Sequence, residues 1–312
     1  MDLSLSTTPK VAEMQALAEK FQTDKSGFFS NINTDRLSAR IPVIMLKAGN
    51  IDVDISPENA LAIMNTKLLK CYSKSPLMVP LVRMLKKIVK SFDINNPAKG
   101  SLSSYGYVLM ALHYLQTFGS LPNLQNLAFG PDNRIIAVSP QAHMKPLSHP
   151  RKDGFVCNVH FLCPTSQNQL QILEKYLFQM VLQDEGNNIL AHLAKFFYYF
   201  AFLFDYRHNI VGTTSSRQQK AEEYPEYFHS KSFDLSIQDP FETFYDVGHV
   251  VKPSQWFRIR AVFARCYSKI SYLVSHAHQI GQKSLSLTFV LEELVLLAEE
   301  DKTFIEQENF RS

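Results

Sequence analysis

The sequence has few cysteines, and they are not arranged as a site. Cys71, Cys157, Cys163 and Cys266 are scattered, and no two of them form a C-x-x-C pair. A structural zinc site needs closely spaced ligands and a disulfide framework needs a dense cysteine pattern, so the sequence favours neither. The simpler interpretation is four reduced thiols in a protein that works inside a cell.

The sequence also lacks a long apolar run and a large net charge. The longest unbroken apolar stretch, residues 196–204, is about half of the roughly 20 residues that a membrane-spanning helix needs, so it predicts a buried core helix. The formal net charge is +3, which permits a polyanionic partner and confines any nucleic-acid site to a local patch. With 46% hydrophobic residues, the 312-residue chain has the composition of a folded protein of two domains.

The apolar pattern changes along the chain. Residues 9–31 have helical spacing, and short apolar stretches at 40–46 and 50–55 are typical of strands. From residue 56 onward the pattern is helical, with predicted helices at 57–73, 77–92, 103–117, 168–183, 189–205, 254–275 and 286–299. Residues 123–165 predict a long surface loop with a short strand at 155–161, and residues 212–232 predict a polar connection. The sequence therefore predicts an α+β fold that is predominantly α-helical.

Asp52 and Asp54 occupy alternate positions of a predicted strand. Alternate residues point to the same face, and clustered carboxylates on a rigid strand suit a hard divalent cation such as Mg²⁺. Two solvated acids near a strand end are the commoner explanation of this pair when it is taken alone.

Lys86 and Lys90 are spaced to lie on one face of a predicted helix. Two ammonium groups side by side suit the oxygens of a triphosphate. The alternative is an ordinary solvated helix face, with Arg83 and Lys87 nearby, and the spacing alone does not decide between the two.

Residues 80–114, PLVRMLKKIVKSFDINNPAKGSLSSYGYVLMALHY, form a longer block with N-T-K-L-L at 65–69, L-P-N-L-Q at 121–125 and D-P-F-E at 239–242. This set resembles the terminal uridylyltransferases and cytoplasmic-type poly(A) polymerases of the DNA polymerase β-like nucleotidyltransferase superfamily. The elements follow the family order across about residues 36–270. The resemblance implies a partial nucleotidyltransferase palm at residues 1–60, a helical central domain with a PAP-associated region at 61–312, and a nucleotide cleft between them.

The resemblance also implies roles for the residues that would meet the phosphates and the metal. Asp54 takes the place of the third metal-binding aspartate, for Mg²⁺ or Mn²⁺. Asn65 and Thr66 would contact the ribose and the phosphates, and Lys86 and Lys90 would hold the β- and γ-phosphates.

Further roles implied by the resemblance concern the base. Ser104 would touch phosphate, and Tyr105 would stack on the base with the flat face of its ring. Asp239 and Glu242 would accept hydrogen bonds at the base edge, because ionised carboxylates are acceptors. Tyr245 stands where uridylyltransferases often carry a histidine, and a phenol can donate to uracil or accept from adenine.

Residues 1–5, MDLSL, resemble the tail of the D-x-D-L-S-L element, with Asp2 as the second aspartate. Nothing matches the family's preceding G-S element or its first aspartate, so the expectation is a chain that begins inside its own active site and is inactive as written. In the alternative, Asp52-Val-Asp54 is itself the D-x-D element, but no later strand then supplies a third aspartate. With such a beginning, the sequence does not indicate whether the protein works in the cytoplasm or in the mitochondrion.

The expected activity is transfer of UMP from UTP to an RNA 3′ end, since the overall likeness of the blocks favours UTP over ATP. The alternatives are an ATP-using poly(A) polymerase and a non-catalytic paralogue that binds nucleotide or RNA. Arg258, Arg265 and Lys269 fall on one helical face and are candidate contacts to RNA phosphates, although a solvated basic face fits them equally well.

Overall fold

In a computed structural model, the described residues are 2–4, 11–38, 42–57, 60–139, 144–146, 156–183, 188–213, 218–219, 235–279 and 285–309. The chain divides into two compact units. Unit 1 consists of Met1–Lys67 and Pro140–His160, and unit 2 of Leu68–Ser139 and Phe161–Ser312. As predicted, the fold is α+β and mainly helical.

Unit 1 contains a four-stranded sheet. Its strands are β1 (Asp2–Ser4), β2 (Phe29–Asn33), β3 (Ile44–Ala48) and β4 (Ile51–Ser56), in the order β1-β4-β3-β2. Strand β1 runs parallel to β4, and the other pairs are antiparallel. A two-residue turn joins β3 to β4, and Gly49 at its first position has a φ of 60°, which an L side chain rarely adopts.

Helix α1 (Val11–Thr23) covers one face of this sheet. Met14 and Ala18 of α1 pack in one cluster with the buried side chains of β3 and β4. The prediction of a single helix over residues 9–31 was wrong at its end. Gly27 has a φ of 69° and follows Thr23 after a short turn, and the chain then enters β2.

Unit 2 is built mainly from helices. They are α2 (Ala60–Tyr72), which begins in unit 1, α3 (Met78–Ser91), α4 (Ser104–Thr117), α5 (Gln167–Leu182), α6 (Ile189–Tyr198), α7 (Pro253–Gln279) and α8 (Leu287–Asn309). Helix α6 continues into a π-helical turn, Tyr199–Leu203, where residues 189–205 predicted one regular helix. Buried aromatic rings such as Phe196, Phe200 and Phe263 fill the space among α4, α6 and α7.

The region predicted as a long loop with one short strand at 155–161 contains two hairpins, and the predicted strand corresponds to the last of their four strands. Strands β5 (Leu127–Phe129) and β6 (Ile135–Ala137) form the first, and β7 (Met144–Pro146) and β8 (Val156–Asn158) form the second. Each strand has three residues, too few to produce a recognisable alternation. The last short pair consists of β9 (Asn209–Ile210) and β10 (Gln218–Gln219). Most of the predicted connection at 212–232 lies outside the described residues.

Across the part of the chain that the structure describes, no helix combines the length and the apolar character that crossing a bilayer requires.

Candidate functional site

Asp52 and Asp54, two candidate residues of unit 1, lie on the sheet face opposite α1. Val53 and Ile55 of β4 are buried in the cluster with α1, so the alternation of the strand directs Asp52 and Asp54 to the other face. Asp54 is half-buried, whereas Asp52 is exposed and its carboxylate lies 3.8 Å from the Lys47 ammonium on β3. Asp52 therefore has a different environment from Asp54.

Asp2 and Asp54 are register partners in the parallel pair of β1 and β4. Register partners in adjacent strands are about 5 Å apart, so the two aspartates stand side by side in the sheet. Oxygen donors on rigid strands suit Mg²⁺, which is commonly held by one or two carboxylates with water and substrate phosphate completing its shell. Among the described residues no group of three or more His, Cys, Asp or Glu is arranged to hold a metal. The donor type thus fits a divalent cation, and the strand register places Asp2 next to Asp54, the pair that the sequence predicts as ligands.

Asn65 and Thr66 lie on α2 in the part that belongs to unit 1. Asn65 is half-buried and Thr66 is exposed. The Thr66 hydroxyl donates to the carbonyl oxygen of Ala62 at 2.8 Å, a bond within the helix that leaves the hydroxyl oxygen able to accept.

The predicted phosphate-binding lysines lie on the exposed face of α3. Six apolar residues of this helix are buried, including Leu85 and Val89, which directly precede Lys86 and Lys90. Both lysines are exposed and one turn apart, and neither forms an ion pair with another residue that the structure describes. The helix therefore presents two cationic groups on one face, as the spacing predicted.

Helix α4 begins at the predicted contact residues Ser104 and Tyr105. Ser103 caps the helix, because its hydroxyl oxygen accepts from the backbone N–H of Gly106 at 3.1 Å. Gly106 leaves room for Leu102, since a Cβ at this glycine would come within 2.5 Å of the leucine side chain. Because the helix begins at Ser104, this residue lies in the first turn, where the free N–H groups of a helix favour an anion.

Tyr105 is joined to the D-P-F-E turn by a hydrogen bond. Its hydroxyl donates to Asp239 Oδ2 at 3.1 Å, while Asp239 Oδ1 accepts from the backbone N–H groups of Phe241 and Glu242, both at 2.9 Å. Burial raises the pKa of the Tyr105 phenol well above its usual value, and the Asp239 charge and hydrogen bond raise it further. The phenol therefore stays protonated and acts as the donor.

Asp239 and Glu242 are both buried, and the turn between them has a further support that the sequence did not reveal. Gln125, also buried, donates from Nε2 to the carbonyl oxygen of Pro240 at 3.0 Å. Gln125 is the last residue of L-P-N-L-Q, so that motif was the available signal.

Tyr245 is half-buried beside His249, a residue that the sequence analysis missed. The two rings are 5.2 Å apart at 61°, and His249 Nδ1 donates to the carbonyl oxygen of Asp246 at 2.6 Å. Asp246 in turn accepts from the N–H groups of Ile237 and Gly248 through Oδ1, at 2.9 and 2.7 Å. A histidine four residues after Tyr245 was the only sequence signal.

The three candidate RNA contacts on α7 have partners inside unit 2. Arg258 donates to the carbonyl oxygen of Phe92 at 2.8 Å, Arg265 forms an ion pair with Asp301, and Lys269 lies 2.7 Å from Glu293. Two of these cations are thus matched by acids of α8, and the RNA role of all three stays a prediction that their geometry does not support.

Two family models match the chain. The central palm domain of mitochondrial-like poly(A) RNA polymerases matches residues 1–74, and the Cid1 family poly A polymerase domain matches residues 188–243. The terminal uridylyltransferase cid1 of Schizosaccharomyces pombe is 30% identical over 247 residues, which are 72% of this chain and 54% of the relative. The poly(A) RNA polymerase GLD2 of Bos taurus is 28% identical over 230 residues, 71% of this chain and 40% of the relative. The chain thus spans about half the length of the curated relatives it matches.

Solved structures of proteins with related names are similar to the chain over most of its length. A cytoplasmic RNA terminal U-transferase is 26% identical with a TM-score of 0.59, over 94% of this chain and 78% of the solved one. The Cid1 poly(U) polymerase with Mg 3′-dATP is 26% identical with a TM-score of 0.59, over 94% and 79%. Cid1 with the UTP analogue UMPNPP is 25% identical with a TM-score of 0.57, over 94% and 77%.

Proposed function

Because the chain fits the terminal uridylyltransferase and poly(A) polymerase family, we propose that it is a template-independent RNA nucleotidyltransferase that adds UMP from UTP to RNA 3′ ends. The observation that carries the proposal is the hydrogen bond from Tyr105 to Asp239, because it joins an aromatic ring to the buried D-P-F-E turn that bears Glu242. A flat ring and a buried carboxylate are what recognition of a nucleobase needs.

Unit 1 would supply the metal ligands of this reaction. Asp2 and Asp54, the register partners on β1 and β4, would hold a divalent cation, Mg²⁺ or Mn²⁺. Such a cation supplies Lewis acidity that favours attack by the RNA 3′-hydroxyl and departure of pyrophosphate. The solved Cid1 chain described with Mg and 3′-dATP supports magnesium.

Lys86 and Lys90 would neutralise the β- and γ-phosphates, because both ammonium groups lie on one exposed helix face. Ser104, in the first turn of α4, would contact a phosphate in a region that the helix dipole makes favourable for anions. Asn65 and Thr66 would contact the ribose and a phosphate. These side chains bind and orient, and the reaction draws mainly on such positioning and charge neutralisation.

Specificity for UTP would depend on Glu242 and Tyr245. A carboxylate of Glu242 can accept from the N3–H of uracil, directly or through water, while the phenol of Tyr245 can donate to a uracil carbonyl. Support for UTP comes from the S. pombe relative, a terminal uridylyltransferase, and from the solved Cid1 chain with a UTP analogue. The similarity to GLD2 favours the second candidate, an ATP-using poly(A) polymerase.

Isothermal titration of the chain with each of the four ribonucleoside triphosphates and Mg²⁺ tests the proposal. We expect UTP to bind most tightly, and extension of a labelled RNA primer with UTP to exceed extension with ATP. ATP binding as tight as UTP binding or tighter would move the assignment to poly(A) polymerase. Absence of binding to every nucleotide would favour a non-catalytic paralogue that binds RNA.

A further inference from the structure

The carboxylate of Asp239 accepts three hydrogen bonds from described residues of unit 2, although the resemblance assigns it to the edge of the base. Oδ1 accepts from two backbone N–H groups of its own turn, and Oδ2 accepts from the Tyr105 hydroxyl, 134 positions away in sequence. Asp239 is only 5% exposed, so breaking one of these bonds would leave a buried polar group without its partner.

The Tyr105 side chain is held at one end. Its hydroxyl is enclosed by protein and bonded to Asp239, while the residue as a whole is partly exposed. A phenol that is fixed at its oxygen loses little further freedom when a flat partner stacks on its ring. The hydrogen bond therefore fixes the position of the long axis of the ring before any nucleotide arrives.

We propose that Asp239 is a positioning residue that holds the Tyr105 ring and the Glu242 turn in place, rather than an acceptor for the base itself. Gln125 is the second support of this turn, because its amide donates to Pro240 between Asp239 and Phe241. This inference rests on the proposed function and assigns separate roles to its residues. Tyr105, held by Asp239, would stack on any base, whereas Glu242 and Tyr245 would select among bases.

The two roles of Asp239 differ in a measurable way. Stacking on an aromatic ring is tolerant of base identity because every base has a π-face. Loss of the Tyr105–Asp239 bond should therefore weaken UTP, ATP, CTP and GTP by the same factor. Loss of an acceptor at the base edge should instead change the ratio of their affinities.

Four variants separate the roles. Tyr105→Phe keeps the ring and removes the hydroxyl. Asp239→Ser keeps a cap for the turn, since serine accepts from backbone N–H groups, but is too short to reach the phenol. Asp239→Asn keeps the cap and offers an amide to the phenol oxygen. Tyr107→Phe is the matched control, because its buried hydroxyl donates to the Ile94 carbonyl oxygen at 2.7 Å and has no role in the proposed site.

We expect Tyr105→Phe and Asp239→Ser each to weaken binding of all four nucleotides by about two- to tenfold, the scale of ordering one freed side chain on binding. The double variant should be no weaker than either single variant, because both remove the same bond. Asp239→Asn should bind nearly as wild type, and Tyr107→Phe should leave affinity unchanged while lowering the thermal midpoint.

A double variant whose loss is the product of the two single losses would overturn the inference, as would an Asp239 variant that weakens one nucleotide far more than the others. If Asp239→Ser does not fold, Tyr105→Phe alone decides, because it leaves the Asp239 caps intact, and unchanged affinity would reject the inference. Failure of the proposed function is distinguishable, since the wild-type chain would then bind no nucleotide, or would bind ATP at least as tightly as UTP.

Discussion

The two units present their candidate site residues in different ways. In unit 1 Asp2 and Asp54 stand on neighbouring strands, and Asp52 forms a long ion pair with Lys47, at 3.8 Å between exposed groups. In unit 2 the base-contacting candidates are tied into the protein by several hydrogen bonds of 2.9–3.1 Å. The charged candidates thus lie on regular strands and helices. The side chains that would contact the base are held by contacts between residues that are distant in sequence.

This difference between the units follows from the kinds of ligand that their candidate residues would bind. Metal ions and phosphates are bound through charge, which acts over several ångströms and tolerates mobile side chains. A base is bound through a flat face and directional hydrogen bonds, so its partners must be held at fixed angles. Substitutions in unit 1 and on α3 should therefore change function with little effect on stability, and substitutions in the interior of unit 2 should change stability.

The largest effect is expected for Asp54→Asn in unit 1. Removing a carboxylate from the metal ligands should lower primer extension with UTP and Mg²⁺ by about a hundredfold or more, since a catalytic cation contributes several kcal/mol. Asp52→Asn is the matched control on the same strand face, and its exposed side chain should be dispensable. Equal losses for the two would instead favour Asp52-Val-Asp54 as the metal-binding pair.

The interior of unit 2 should be sensitive to acid through His113. Burial lowers the pKa of this histidine to about 4, even though its Nδ1 hydrogen bond to the Gly212 carbonyl oxygen at 2.7 Å opposes the shift. The unfolded chain takes up the proton near pH 6.5 and the folded chain near 4, so stability is retained above 6.5 and lost as the pH falls between these values. The loss should reach about 3 kcal/mol.

Urea unfolding between pH 7.5 and 4 measures this loss. His113→Gln should flatten the pH dependence, whereas His278→Gln, at an exposed position of α7, should not. A wild-type stability that is the same at pH 7.5 and 4 would show that His113 does not control it.

Lys86→Ala and Lys90→Ala should weaken triphosphate binding by about ten- to a hundredfold each, because charge-assisted hydrogen bonds contribute roughly 1.5–3 kcal/mol. The thermal midpoint should hardly change, since both side chains are exposed. Lys87→Ala, one position along the same helix, is the control. Titration with UTP is the measurement, and losses much below tenfold for both lysines would favour an ordinary solvated helix face.

The smallest effect concerns thiol chemistry and leaves function untouched. Burial, with Cys163 as a neighbour, raises the pKa of the Cys71 thiol to about 12, and burial raises that of Cys266 as well. Cys163 is exposed, so iodoacetamide at pH 8 should label it faster than the other two in the folded protein. Peptide mass spectrometry reads the order, and equal labelling would show that unit 2 opens readily.

Much of the fold was predictable because it is local. The helices from residue 56 onward and the strands around Asp52 and Asp54 were predicted from apolar spacing, and the structure confirms their type with shifted ends. The errors came where spacing carries little signal. Strands β5, β6 and β7 are too short to alternate visibly, and the helix over 9–31 was extended through a turn at Gly27.

The sequence by itself determined which residues share a face. A period of two put Asp52 with Asp54, and a period of 3.6 put Lys86 with Lys90, because backbone geometry fixes where neighbouring side chains point. Only the tertiary structure decided which distant residues meet. It brought Tyr105 to Asp239 across 134 positions and Gln125 to Pro240 across 115, and it gave Arg265 and Lys269 acidic partners on α8. Such contacts depend on how helices pack, a long-range property that no local repeat in the chain encodes.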